Sequence, residues 1–281
     1  MTQPSAPSRY VRFAHLAYRA AQASYPKYRR KKSKKTFTQP QLIACVLLKM
    51  YLNLSYRDCE EWLRATDQVC QALELSTIPD HSTLNRAFQR LTETRLQKLL
   101  TSVLTDLNVK ESVIAGDSTG YTLSTASAYY RTRSGKPFRG WVKGSYAVGT
   151  QSQLILVARA SRRNSPDDAH MLEPLRNGAQ AYATSDPWVF LADAGFDCQA
   201  VTDRDIVPPI RRGGRLVAPQ RKARADLVAQ ARLDGLFGQR WKTETVHSVI
   251  KRKFGGEIRS RLKQRQNREP LVKAVVYNLH R

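Results

Sequence analysis

Apolar residues follow two different patterns along the chain, and the change between them lies near residue 110. Between residues 38 and 108, apolar side chains recur at the helical period, for example at positions 42, 43, 46, 47, 50 and 54. This segment is expected to be all-helical. Four helices are predicted: one beginning at Thr38, one over residues 56–63 opened by a capping box of Ser55 and Asp58, one over residues 83–91 capped by Asp80 or Ser82, and one over residues 93–107.

Beyond residue 110, short β-prone runs alternate with helical segments. Residues 112–117 and 188–193 are apolar runs that each end in an acid, and residues 145–149 and 153–160 predict a hairpin. Helices are predicted over residues 168–179 and 199–204, and Pro208 and Pro209 restrict residues 206–207 to an edge strand. Residues 211–235 are predicted to form an irregular basic linker into a helix that carries Glu244. A last helix over residues 269–280 is expected to pack back on the domain.

The helix that follows residue 237 carries one acidic and two basic residues on a single face. Arg240 and Lys251 lie four residues before and seven residues after Glu244, at intervals close to whole helical turns. Phe237 adds an aromatic ring to the same stripe. A carboxylate between cations suits a metal ligand that acts beside a phosphate backbone, although such an acid–base pair is also ordinary helix-surface chemistry.

Asp117 and Asp193 each follow an apolar run, so two strands could bring their carboxylates to the acid at Glu244. Each aspartate could instead be a turn residue without chemistry. Asp197 is an alternative to Asp193, but Asp193 is preferred because it directly follows the apolar run. Three converging acids repel one another unless cations lie among them. Two hard divalent ions about 3.5–4 Å apart would satisfy such a cluster and could act on a phosphodiester.

The net charge of the chain indicates which class of molecule the protein binds. A net charge of +24 and an isoelectric point near 10.3 favour a polyanion, and nucleic acid is the usual one. An anionic membrane competes for the same charge, but no apolar run approaches the length of a membrane span. The cysteines, which show neither C-x-x-C pairing nor zinc spacing, indicate reduced core thiols in the cytoplasm. They are Cys45, Cys59, Cys70 and Cys198.

Three basic segments are candidates for contact with DNA. Residues 1–36 contain no acid and are predicted to be a flexible tail that binds phosphates without specificity. The third predicted helix presents Arg86 and Arg90, as in a helix-turn-helix-like module, although a plain helical bundle explains the same pattern. Arg131 and Arg133 belong to an acid-free, aromatic-rich stretch that suits a nucleic-acid track; a solvated loop is the alternative.

Taken together, these motifs resemble the DDE transposases of bacterial insertion sequences, in the group whose third motif is Y-x2-R-x3-E-x6-K. That motif stands here as Phe237-x2-Arg240-x3-Glu244-x6-Lys251, with Phe in place of Tyr. The second motif stands as Asp193-Ala194-Gly195-Phe196 and the first as Asp117-Ser118-Thr119. The resemblance covers residues 110–281 and extends more loosely to the P-x-x-S-T-L step over residues 79–84.

The resemblance implies an α/β fold: an RNase H-like mixed sheet with flanking helices, preceded by an all-α N-terminal region. Together with the charge and apolar patterns described above, it predicts a basic flexible tail over residues 1–36, a helical DNA-binding region over residues 37–110 and a catalytic domain over residues 111–281. Asp117, Asp193 and Glu244 would be the catalytic and metal-binding triad for two Mg²⁺ ions, with Mn²⁺ as a substitute. Arg240 and Lys251 would bind phosphates, and Phe237 could stack on a displaced base.

The activity that the resemblance implies is DNA transposition. The protein would cleave the ends of a mobile element and join the 3′ ends to target DNA, as a homodimer that associates with the nucleoid in the cytoplasm. An RNase H-like nuclease and a catalytically silent DNA-binding relative are the alternatives.

Overall fold

The structure, a computed structural model, describes residues 6–32, 34–124, 133, 135, 141–162, 168–184, 187–211, 213 and 216–281. The chain divides into two units. The first comprises Met1–Asp106, Lys253–Gly255 and Val272–Arg281, and the second comprises Leu107–Arg252 and Gly256–Leu271. The sequence placed its main boundary at residue 110, close to the change of unit after Asp106.

Besides segments of two later helices, the described part of the first unit consists of six helices, several of which begin at side-chain caps. They are α1 (Arg9–Ser24), α2 (Gln39–Tyr51), α3 (Tyr56–Arg64), α4 (Asp67–Ala72), α5 (His81–Arg90) and α6 (Glu93–Asp106). Thr38 caps α2 in a capping box with Gln41, and Ser55 caps α3 in one with Asp58. Asp80, rather than Ser82, caps α5 through two backbone N–H groups.

Helix α1 lies within residues 1–36, for which the sequence predicted a flexible tail. Its apolar face is buried: the ring of Phe13 stacks on Tyr51 with ring centroids 4.0 Å apart. The hydroxyl of Tyr18 donates to Glu74 Oε2 at 2.9 Å. The absence of acids suggested a solvated segment, but the alanines and aromatics between the basic residues form a buried stripe at helical spacing.

A six-stranded mixed sheet forms the centre of the second unit. The strands are β1 (Val113–Leu123), β2 (Trp141–Gly149), β3 (Ile155–Ser161), β4 (Val189–Leu191), β5 (Asp205–Ile206) and β6 (Glu257–Ile258). Their order is β3-β2-β1-β4-β5, and β6 pairs with the far end of β1. β1 is antiparallel to β2 and parallel to β4, and β2 and β3 form the predicted hairpin.

Strand β1 is longer than predicted, and this changes the position of Asp117. The sequence predicted that the strand ends at this acid, but Asp117 pairs with Tyr146 in the middle of β1, which continues to Leu123. The polar residues after Asp117 interrupt the apolar run without ending the strand, because β2 supplies backbone hydrogen bonds along nearly the whole length of β1.

Helices cover both faces of the sheet. Helix α7 (Ala169–Ala179) packs on β1, β2 and β3, and α8 (Pro219–Leu233) packs on the other face through Val228 and Ala231. Helix α9 (Trp241–Phe254) follows a short 3₁₀ turn, and α10 (Lys263–Gln266) and α11 (Arg268–His280) end the chain. This strand order with helices on both faces is the RNase H-like α/β fold, as predicted.

Two predicted elements of the second unit were wrong. Residues 199–204 form turns rather than a helix, and helix α8 lies inside the stretch predicted to be an irregular linker. Pro219 at the first turn of α8 suits a helix start. The few apolar positions that the helix buries lie among basic residues, so the sequence did not indicate them. The predicted edge strand is present as Asp205–Ile206.

Asp197 anchors α8 to the loop that follows β4. Its carboxylate accepts hydrogen bonds from Arg221 Nη2 at 2.9 Å and the backbone N–H of Ile210 at 2.7 Å, and it also pairs with Arg224. The side chain of Asp197 is 4% exposed. Burial by itself would raise the pKa of Asp197, but the hydrogen bonds and charges of the arginines outweigh it and lower that pKa.

In the described part of the chain, no helix is both long enough and apolar enough to cross a membrane. The four cysteines are free thiols, and Cys45 and Cys59 are buried, as the sequence predicted for core cysteines.

Replacing Asp197 by Asn should lower the free energy of unfolding at pH 7 by about 3 kcal/mol, because it leaves partly buried arginines without their counter-charge. Since the folded-state pKa of Asp197 is lowered, its stabilisation is present above the ordinary Asp pKa of about 3.9. It is lost as the pH falls through the lower folded value. Urea unfolding of both proteins across this range should show the difference narrowing in acid. An equal difference at every pH would contradict this account.

Candidate active site

Asp117 lies on the sheet face that α8 and α9 cover. Its Oδ1 accepts a hydrogen bond from the backbone N–H of Ser118 at 2.8 Å. Its Oδ2 faces helix α9, with the Thr243 hydroxyl at 3.1 Å and with Arg240 Nη1 and His247 Nδ1 each at 3.7 Å. The side chain of Asp117 is 14% exposed. The structure therefore holds this carboxylate largely away from water, between the central strand and the helix of Glu244.

The predicted stripe on the helix of Glu244 is present only in part, because Phe237–Arg240 form a 3₁₀ turn and the α-helix begins at Trp241. Arg240 Nη2 lies 3.2 Å from Glu244 Oε1, and Lys251 Nζ lies 5.8 Å from the ring centroid of Tyr121 on β1. Asp117 and Tyr121 are four residues apart on β1 and so share one face of the sheet. Arg240 and Lys251 therefore both lie near this face of β1.

Asp193 lies two residues beyond the end of β4. It caps a 3₁₀ turn over Ala194–Phe196, and its Oδ1 accepts the backbone N–H of Gly195 at 2.9 Å. A side chain at Gly195 would place a Cβ 3.0 Å from Asp193 Oδ1 and 3.5 Å from Asp168 Oδ2. Gly195 therefore allows two carboxylates to lie beside one turn.

The charges of the acids influence one another. Burial raises the pKa of Asp117, and the charge of Glu244 adds to this increase, while Arg240 and Thr243 oppose it. Burial also raises the pKa of Asp193, and the charges of Asp117 and Asp168 raise it further. Partly buried acids that resist ionisation together are typical of a functional site.

Asp168 is an acid at this site that the sequence analysis did not select. It precedes α7 but makes no side-chain cap to the helix, and its Oδ1 lies 2.5 Å from Lys143 Nζ on β2. Both side chains are mostly buried, at 17% and 14% exposure. Its position at a predicted helix start explained Asp168 as an ordinary cap, so no pattern in the sequence separated it from the many capping aspartates.

The alternative second acid, Asp197, has a structural role. Its carboxylate is occupied by Arg221, Arg224 and the N–H of Ile210, whereas Asp193 faces the charges of Asp117 and Asp168. These contacts support the choice of Asp193.

His247, on the same helix as Glu244, also lies beside Asp117. It is 7% exposed, its ring centroid lies 5.6 Å from that of Tyr146, and its Nε2 is buried without a hydrogen-bond partner among the described residues. Burial lowers the pKa of His247 to about 4, and the charge of Lys251 adds to this effect. The ring is therefore neutral at pH 7 and packs beside Asp117 without balancing its charge.

The residues that were predicted to contact nucleic acid lie in different surroundings. Phe237 packs against the apolar cluster formed by β1, β4, β5 and α8, and the guanidinium of Arg232 lies 5.3 Å from its ring centroid. Arg86 and Arg90 are exposed on α5, where Arg86 bonds back to Ser82. Arg133 is exposed, and Arg131 lies outside the described residues.

Arg90 also lines a groove in the first unit. The groove brings α5 together with the segment that follows α1, and its basic and aromatic lining residues are Lys27, Tyr28, Arg29, Arg30, Lys34, Phe37 and Arg90. Two basic segments that the sequence placed in separate regions therefore meet on one surface.

The donor set fits a hard divalent cation. Asp117, Asp193 and Glu244 offer carboxylate oxygens, which Mg²⁺ and Mn²⁺ prefer, and a bound cation would favour the ionised form of the two aspartates, whose pKa values are raised first by burial and then by neighbouring acids. Over the described ranges, no three His, Cys, Asp or Glu side chains lie close enough to hold a metal ion. The side chain of Glu244 is 63% exposed and pairs with Arg240, which also contacts Asp117.

An RNase H-like sheet with acids from β1, the β4 loop and α9 defines the class of protein that the three motifs indicated. A family model described as a transposase DDE domain matches residues 108–279, and the chain belongs to this family. DNA is the substrate that the family implies, and its members generally use a divalent metal ion. A search of curated proteins finds no match.

Replacing Asp193 by Asn should raise the free energy of unfolding at pH 7.5 without metal, by less than about 1 kcal/mol because the group is partly solvated. The folded-state pKa of Asp193 is raised, so its ionisation opposes folding above that value. This penalty disappears as the pH falls below the ordinary Asp value. Urea midpoints of both proteins, measured with EDTA at pH 7.5 and at a pH below the ordinary Asp pKa of about 3.9, test the prediction. A stability loss like that expected for Asp197→Asn would show that Asp193 is structural.

Proposed function

We propose that the protein is a DNA transposase that cleaves the ends of an insertion sequence and joins the 3′ ends to target DNA. Asp117, Asp193 and Glu244 are its catalytic and metal-binding carboxylates in this proposal. The observation that carries it is the burial of Asp117 against the start of the Glu244 helix, where its Oδ2 lies 3.1 Å from the Thr243 hydroxyl and 3.7 Å from Arg240 Nη1. Asp117 links the other two acids in this proposal, because the charge of Glu244 raises the pKa of Asp117 and the charge of Asp117 raises the pKa of Asp193.

Asp117, Asp193 and Glu244 would hold two Mg²⁺ ions, with Mn²⁺ as a substitute. When bound, such ions supply Lewis acidity, lower the pKa of a water and stabilise a leaving 3′ oxygen. Arg240 and Lys251 flank the acids on one helix face and would bind phosphates on either side of the scissile position. Phe237, which is half-buried, would contact a displaced base with the exposed part of its ring.

Duplex DNA would also bind the first unit. The basic groove that Arg90 lines has the charge needed to neutralise phosphates, and Tyr28 adds an aromatic ring. Arg86 on the same helix, and Arg133 with Arg131 in the second unit, extend the proposed contacts. Because two element ends must be brought together, the working complex would be at least a homodimer, located with the nucleoid in the cytoplasm.

Asp193→Asn should leave duplex binding nearly unchanged and reduce metal-dependent cleavage by at least about 1,000-fold, because a carboxylate ligand is lost. The substrate would be a plasmid carrying the inverted repeats that flank the gene, with Mg²⁺ or Mn²⁺. Asp203→Asn, in an exposed turn, is the matched control and should cut normally.

The DNA products of this assay distinguish a transposase from the two alternative functions. A transposase joins a cleaved 3′ end to target plasmid, an RNase H-like nuclease cuts without joining, and a silent relative binds DNA with no response to metal. Normal cutting by Asp193→Asn would reject the assignment of the second acid.

Arg90→Ala should weaken binding to duplexes of any sequence and reduce the slope of log affinity against log salt by about 1, because one phosphate contact is lost. Fluorescence anisotropy at several salt concentrations measures both quantities. Arg57→Ala, on the exposed surface of α3 and outside the groove lining, is the control and should bind as the wild type does. An unchanged slope for Arg90→Ala would remove the groove from the proposed DNA surface.

A further inference from the structure

Thr243 is a fully buried polar residue between the two acids of β1 and α9. It has 0% exposure, and it directly precedes Glu244 in the first turn of α9. Its Oγ1 lies 3.1 Å from Asp117 Oδ2 and 2.8 Å from the backbone oxygen of Arg240. One hydroxyl therefore connects a carboxylate on the central strand to the backbone at the start of the Glu244 helix.

The other groups around Asp117 cannot hold its Oδ2 in the same way. Arg240 and His247 each lie 3.7 Å away, beyond the distance of a good hydrogen bond. The N–H of Ser118 bonds to Oδ1 instead. Among the described contacts, the hydroxyl of Thr243 is the group within hydrogen-bond distance of Oδ2.

A hydroxyl has one proton, and both of its neighbours here are acceptors when Asp117 is ionised. A bond from a threonine hydroxyl to a carbonyl one turn back is common in helices and satisfies the hydroxyl without any other partner. The proton can be donated to only one of these acceptors at a time, and when it is donated to Asp117 Oδ2 the 3.1 Å contact is a hydrogen bond to a charged group. It fixes the carboxylate against the residue that immediately precedes Glu244.

We propose that Thr243 is a positioning residue for the reaction: its hydroxyl orients the Asp117 carboxylate relative to Glu244 and so sets the geometry in which both bind a divalent cation. This inference rests on the proposed function, in which Asp117 and Glu244 are metal ligands. It differs from a packing role because the hydroxyl, rather than the volume of the side chain, carries the effect.

Thr243→Val keeps the shape of the side chain and removes the hydroxyl. The full-length variant should bind Mn²⁺ about tenfold more weakly and cleave with about tenfold lower kcat, the usual effect of losing a group that orients a metal ligand. Its KM for duplex DNA should stay unchanged. Mn²⁺ affinity, measured by electron paramagnetic resonance of the free ion, needs no activity.

Thr243→Ser keeps the hydroxyl and should restore Mn²⁺ affinity and kcat to within about twofold of the wild type. Thr150→Val is the matched control, since Thr150 is 3% exposed and its hydroxyl bonds to Gln239 Oε1 at 2.9 Å rather than to an acid of the site. It should lose stability to a similar extent without loss of Mn²⁺ affinity. If Thr243→Val does not fold, the comparison of Thr243→Ser with Thr243→Ala carries the test, because both lack the methyl group and only the serine keeps the hydroxyl.

Normal Mn²⁺ affinity and kcat in Thr243→Val, or no recovery in Thr243→Ser, would overturn this inference. If the inference about Thr243 fails in this way but Asp193→Asn abolishes cleavage in the same assays, the proposed function still stands. If the wild type neither cleaves DNA nor binds Mn²⁺ more tightly than Asp117→Asn, the proposed function fails and the role of Thr243 fails with it.

Discussion

The alternation of side chains along β1 is the constraint on which the site depends. Residues two apart on a strand share a face, so Ala115, Asp117 and Tyr121 all face the helices that follow the sheet. Ala115 belongs to the apolar cluster that seats α8, and Asp117 and Tyr121 face α9. A shift of one residue in the pairing with β2 would turn the acid to the face of α7 and away from Glu244.

The same burial that assembles the acids also opposes their ionisation. Asp117 and Asp193 both have raised pKa values, and each is influenced by another acid nearby. Arg240, which contacts Asp117 and Glu244, compensates only in part. Repulsion of this kind lowers stability, and it persists in proteins where a ligand of opposite charge is needed.

Two aspartates four residues apart show that surroundings, not residue type, decide the role of an acid. Asp197 is enclosed by Arg221 and Arg224, which lower its pKa and make it an anchor for α8. Asp193 lies near other carboxylates and has a raised pKa. The first acid contributes to stability when ionised, and the second becomes costly when ionised.

The sequence by itself determined the family, the RNase H-like fold, the helix caps at Thr38 and Ser55 and the shared face of Arg240 and Glu244, because these depend on local periodicity and motif spacing. It missed α8, whose few buried positions lie among basic residues. It also missed Asp168 and Thr243, since an acid at a helix start and a threonine in a first turn have ordinary local explanations. Only the tertiary structure placed Asp168 beside Asp193 and Thr243 against Asp117, because those contacts join elements far apart in the chain and depend on the order and register of the strands.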